Sequence, residues 1–149
     1  MPFKVFISHS VGPKELGILA GLAARAATHA IEPLVPDRSW SPPLVRSDVA
    51  QMIQAADCVV VLATSGGHHQ NWVNAEVASA GNKQIILVTD AGIDVKFPAQ
   101  NRVVIDRESL TATIQQVITG IQRLQLENQH REALGWLLVA GFLFFMQHE

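Results

Sequence analysis

Apolar residues fall along this chain in short β-branched runs, separated by longer segments of helical spacing. Lys4 to Ser8 is aromatic and β-branched and is closed by the polar His9-Ser10, which predicts a buried strand followed by a loop. Pro13 suits the first turn of a helix, and the stretch to Ala30 places Leu16, Leu19, Ala20, Ala23 and Ala27 at helical spacing. That pattern predicts a helix packed on a sheet. Ile31 to Val35 predicts a brief second strand. Pro36 to Pro43 carries three prolines in eight residues, a stiff loop that presents Arg38 and Trp40. Ser47 is a good N-cap, with Asp48 in the first turn, for a helix running to about Ala56. Asp57 to Ala63 is apolar from Cys58 onward, as a central parallel strand must be. Thr64 to Gln70 is a polar loop with Gly66-Gly67, after which Asn71 caps a helix that Gly81-Asn82 stops. Gln84 to Thr89 reads as a fourth strand and Asp90 to Gln100 as a loop. Arg102 to Asp106 reads as an edge-like fifth strand, and Ser109 caps a long final helix.

Strands that alternate with helices pair in parallel through right-handed crossovers. Five of them predict a flavodoxin-like three-layer α/β fold, a parallel sheet in the order 2-1-3-4-5. In that order the chain reverses between strands one and three, and a ligand binds outside the strand ends at that switch point. The two loops there are Ser8 to Pro13 and Thr64 to Asn71.

Composition narrows the picture. At 149 residues, 48% of them apolar, the chain is one domain with a full core. A net charge of −2 without a run of like charge offers no electrostatic surface for nucleic acid. Cys58 is the single cysteine and lies in an apolar run, so it forms no internal disulfide and reads as a small core residue. The N-terminus goes straight into the first strand with no basic and apolar leader, and a cytoplasmic location is expected.

The end of the chain is unusual. Residues 1–131 form the expected domain, and 132–149 an apolar C-terminal tail. From Ala133 to Met146 the sequence is apolar on every side and as a helix extends roughly 21 Å. A bilayer core needs roughly 30 Å, so the run is short for a span. A patch of this kind does not stay solvated. A membrane anchor or an oligomerisation helix is expected, with a slight lean to membrane.

Glu76 is the first candidate for chemistry. It lies on the helix after strand three, and Trp72 at i−4 shares its face, beside the switch-point crevice. A carboxylate next to an indole ring suits a cation-like transition state. Taken alone, the pair is also what a solvated glutamate above a core tryptophan would look like. His68-His69 have no Cys or carboxylate at ligand spacing, so no metal site is expected there and the two read as exposed loop residues. Ala63-Thr64 stands where a phosphoacceptor would need an Asp. A Gly-x-Gly-x-x-Gly turn is missing after strand one, which disfavours a dinucleotide oxidoreductase.

Phe3 to Ser10 resembles the opening strand of TIR (Toll/interleukin-1 receptor) domains. Ile53 to Leu62 resembles their third strand and its approach, and Trp72-Val73-Asn74-Ala75-Glu76 matches the WxxxE pattern of bacterial and plant members. The three segments occur in family order over about Pro2 to Gln125. The resemblance implies two alternatives. One is an NAD+ nucleosidase that cleaves the nicotinamide–ribose bond, as a hydrolase or an ADP-ribose cyclase in bacterial immune or antiphage signalling. The other is a non-enzymatic adaptor that acts through TIR–TIR assembly. In the enzymes the WxxxE glutamate is catalytic, here Glu76, and NAD is the substrate, with no separate cofactor. The first-strand loop, here Phe6, Ser8, His9 and Ser10, would line the nucleotide pocket together with Trp72. The loop after strand two would contact substrate or a second protomer through Arg38 and Trp40. His9 departs from the aromatic or serine common there, and His68-His69 from a serine. The chemistry fits one carboxylate: cleavage passes through an oxocarbenium-like ribose, and nicotinamide leaves as a neutral base without a general acid. Nucleoside deoxyribosyltransferases, which also use a glutamate on an N-glycoside, are a distant competitor because Trp72 and the first strand fit TIR domains better.

Overall fold

The computed structural model describes residues 2–9, 13–36, 47–64, 70–93, 95 and 101–147. Among them, strands β1 (Phe3–His9), β2 (Ile31–Leu34), β3 (Cys58–Ala63), β4 (Ile85–Thr89) and β5 (Asn101–Val104) form one sheet in the order β2-β1-β3-β4-β5. Every pairing is parallel, with Val5↔Cys58 and Val59↔Ile85 setting the central registers. The helices are α1 (Pro13–Thr28), α2 (Ser47–Ala55), α3 (Gln70–Ala80) and α4 (Leu110–Gln147). The topology is the one the alternating pattern predicts.

Alternation along the strands divides the core in two. Cys58, Val60 and Leu62 of β3 join Val5 and Ile7 of β1 under α1 and α4. Val59, Val61 and Ala63 join Phe6 under α2 and α3, where Val49, Ile53, Val73 and Val77 cover them. All six residues of β3 are buried, as a strand with helices on both faces requires. At the sheet's edge β5 alternates between half-buried and exposed residues. Ala30 and Gly81 adopt positive φ (57° and 61°) just beyond α1 and α3, the left-handed turn that ends a helix.

One expectation fails within α1. Spacing placed Leu16, Leu19, Ala20, Ala23 and Ala27 on its sheet side, but Leu16 is 53% exposed and Ala20 and Ala27 are also exposed. The buried stripe is Glu15, Ile18, Leu22 and Ala26. This helix is apolar almost all round, so periodicity does not select a face. The larger Ile18 and Leu22 fill the core in place of the alanines, and Gly21 lets α4 approach so closely that a Cβ there would lie 2.7 Å from Ile114 Cδ1.

Cys58 is fully buried. Burial pushes its thiol up to about 12, and the Asp57 carboxylate adds to the rise. The thiolate is therefore scarce at any pH at which the protein is handled. We expect Cys58 to resist a disulfide exchange reagent at pH 8 and to react fully once the chain is unfolded; stoichiometric labelling of the native protein would contradict this.

The expected tail is the continuation of α4, a single helix of 38 residues that passes through position 131 without a break. Val117, Ile118, Ile121 and Leu124 pack it on the sheet. Beyond them, Leu126, Leu134, Trp136, Leu137 and Leu138 are exposed, Trp136 by 75%. Among the described residues no helix is long and apolar enough to cross a membrane.

Candidate functional site at the ends of the central strands

The site forms where β1 and β3 end. Ser8 and His9 are the last residues of β1, in register with Val61 and Leu62. Because successive side chains of a strand point to opposite faces, Ser8 faces the α2/α3 layer with Phe6, and His9 faces the α1/α4 layer with Ile7. Helix α3 then brings Glu76 over Ser8. The Ser8 hydroxyl donates to Glu76 Oε1 at 2.7 Å, joining residues 68 positions apart.

Glu76 is only 2% exposed and Ser8 is fully buried. A solvated glutamate was one reading of the sequence, and the burial of Glu76 overturns it. The helix carries Val73 and Val77 into the α2/α3-side core, and Glu76 lies about 60° around the helix from Val73, on the inward half of its circumference. A buried carboxyl group needs a hydrogen-bond partner to offset the loss of water, and Ser8 is one. Trp72 is half-buried one turn earlier on the same helix. Phe6 is fully buried among Val49, Ile53 and Val73, a packing position beneath the site. His9 is buried. Ser10, Arg38 and Trp40 lie outside the described residues, as do His68 and His69.

Sequence reasoning missed a second carboxylate. Glu15, in the first turn of α1, is fully buried, and the Thr64 hydroxyl donates to its Oε1 at 2.6 Å. Thr64 is the residue immediately after β3. Glu15 stands three residues before Ile18 and seven before Leu22, on the stripe that is buried, but with apolar residues almost all round α1 spacing alone does not single that stripe out. Each of the two central strands therefore ends in a hydroxyl that donates to a glutamate on a neighbouring helix, Ser8 with α3 and Thr64 with α1.

Farther along the same end of the sheet, Arg107 grips Asp90 with two hydrogen bonds, Nε to Oδ1 at 3.0 Å and Nη2 to Oδ2 at 2.8 Å. This ties the end of β4 to the turn that leads into α4. A groove lined by Arg102, Gln115, Thr119 and Arg123 lies at the first residues of β5, away from the strand ends that carry Ser8 and Glu76.

Chemically, the Glu76 carboxyl can accept a proton or stabilise positive charge, and the flat face of Trp72 one turn away can stack on a ring. Residues 22–94, just under half of the chain, match a family model described as the TIR-like domain of Thoeris protein ThsB. A prokaryotic SEFIR domain superposes with a TM-score of 0.56 at 14% identity, covering 81% of this chain and 92% of its own. The TIR domains of the activated Roq1 resistosome directly recognising the pathogen effector XopQ superpose at 0.50 and 13% identity, covering 90% of this chain and 78% of theirs. At such identities the two structures speak to the fold. No curated protein is recognisably similar in sequence.

Proposed function

We propose that this chain is a TIR-type domain that cleaves the nicotinamide–ribose bond of NAD with Glu76 as the catalytic carboxylate. The observation that carries the reading is the Glu76 carboxyl, held by Ser8 at the switch point of the sheet, one turn from Trp72. As the bond to nicotinamide breaks, positive charge develops on the ribose and the carboxylate stabilises it. The leaving base is neutral and takes the bond's electron pair with no proton transfer. Water then attacks the anomeric carbon to give ADP-ribose, or a nucleophile within the same molecule closes a cyclic isomer. Trp72 offers a stacking face for the nicotinamide or ribose. The setting we infer is cytoplasmic bacterial immunity against phage.

Ser8 tests the role of the hydrogen bond. Ser8→Ala removes the donor to Glu76 Oε1 and leaves the strand intact, and we expect kcat to fall about tenfold, the scale on which a hydrogen bond to a charged group acts. The assay is nicotinamide release from NAD by purified protein at high concentration or with a crowding agent. Turnover equal to that of the parent would show that the bond does not orient the carboxylate.

A second reading, an adaptor that acts by assembly, draws on a different observation. TIR domains generally self-associate, and the exposed Trp136, Leu137 and Leu138 on α4 form an apolar surface suited to contact between copies. Assembly and catalysis are compatible. The readings part only if no assembling condition elicits nicotinamide release, which would favour the adaptor.

A further inference from the structure

The core-facing stripe of α1 contains three apolar residues, Ile18, Leu22 and Ala26, and begins with a carboxylate. Glu15 is fully buried at a position where a leucine would pack without needing a partner. What the glutamate has instead is a contact with a residue 49 positions away, the 2.6 Å hydrogen bond donated by Thr64. The place of that bond matters. Up to Ala63 the chain is held by the sheet, in register with Thr89 of β4. At Thr64 the strand has ended and the side-chain bond takes over. Residues 65–69 then lead to α3, the helix that carries Trp72 and Glu76.

We propose that Glu15 is a positioning residue for the site: by accepting from Thr64 it fixes the point at which the chain leaves β3, and with it the start of α3 and the aim of Glu76. It acts from the α1 layer, whereas Glu76 lies in the α3 layer, so it works through the backbone and not by touching substrate. The catalytic half of this inference rests on the reading of Glu76 given above; the mechanical half does not.

The test uses the full chain. Thr64→Val keeps the shape of the side chain and removes the hydroxyl, and Glu15→Leu removes the acceptor. Thr64→Ser and Glu15→Gln each keep the bond. Misplacing a reacting group by a fraction of an ångström lowers the rate of the chemical step more than binding. For Thr64→Val and Glu15→Leu we expect kcat for nicotinamide release to fall about tenfold or more with KM within about twofold, and for the conservative pair activity within about threefold of the parent. A second readout does not depend on activity. In protein labelled with 5-fluorotryptophan, the Trp72 fluorine resonance, assigned by its loss in Trp72→Phe, is expected to shift or broaden in Thr64→Val and to stay in place in Thr64→Ser. If Glu15→Leu fails to fold, Thr64→Val carries the test. Parent-like kcat, or an unmoved Trp72 resonance, in folded Thr64→Val overturns the proposal. A parent without any NAD cleavage defeats the reading of Glu76, and the Trp72 resonance still decides whether Thr64 and Glu15 set the start of α3.

Discussion

Replacing Glu76 by glutamine is expected to lower nicotinamide release from NAD by about 10²–10³-fold, the effect of losing roughly 3–4 kcal/mol of charge stabilisation in the transition state. Glutamine has the same size, and its amide oxygen still accepts from Ser8, so the 2.7 Å contact survives and with it the local packing. What disappears is the negative charge that the developing oxocarbenium ion requires. The buried setting makes the choice of substitution important. Alanine at this position would leave a cavity and an unsatisfied Ser8 hydroxyl, and its lower activity could reflect misfolding. For glutamine, the thermal midpoint should lie within a few degrees of the parent while turnover collapses. The measurement is turnover under assembling conditions, paired with circular dichroism. Undiminished turnover in a well-folded Glu76→Gln protein would sink the mechanism.

Removing residues 133–149 should leave the α/β domain folded and shift its self-association to concentrations at least about a hundredfold higher. The first half follows from the burial along α4: among the residues whose burial is described, up to Leu138, Leu124 is the last buried one. The second follows from what the deletion takes away. Full burial of a leucine-sized side chain is worth about 1.5–3 kcal/mol, so Trp136, Leu137 and Leu138 alone contribute roughly 5–9 kcal/mol before the cost of association. Three consecutive helical residues spread over more than half the circumference, so one flat partner surface cannot cover them, and a bundle of such helices can. Light scattering across a concentration series reads the oligomeric state, and flotation with liposomes reads lipid binding. A full-length protein that is monomeric at all concentrations yet floats with liposomes would assign the helix end to lipid. A truncated chain that fails to fold would mean that the core extends into the tail.

The strand order was legible in the sequence, and with it the end of the sheet at which Ser8 and Glu76 both lie, for one reason. A fully apolar run such as Cys58 to Ala63 has to be central, and the order of strands around it then brings the end of β1 beside the start of the following helix. Boundaries were read to within a residue or two for the same reason, since Pro, Gly and polar clusters mark them. The face of α1 was not legible. Apolar residues surround that helix, and the cue to its orientation was a buried glutamate, which pattern reading assigns to solvent. The state of Glu76 escaped for a related reason. A charged residue is taken to be exposed unless its partner is known, and its partner Ser8 lies 68 residues away. Polar burial depends on long-range pairing, whereas hydrophobic periodicity is local.

The length of α4 has a consequence for how copies of the domain would be arranged. All five strands run the same way, and the helix begins just past the end of β5, so it travels back along the sheet against them. Fifteen residues, Leu110 to Leu124, roughly 22 Å of helix, traverse the sheet, and the 14 from Gln125 to Leu138, none of them buried, carry the helix on for roughly 21 Å. The projecting stalk therefore leaves from the pole opposite Ser8 and Glu76. Copies gathered at their stalk tips would hold their crevices outward at a local concentration on the order of a millimolar, with each mouth unobstructed by the contact that recruits it.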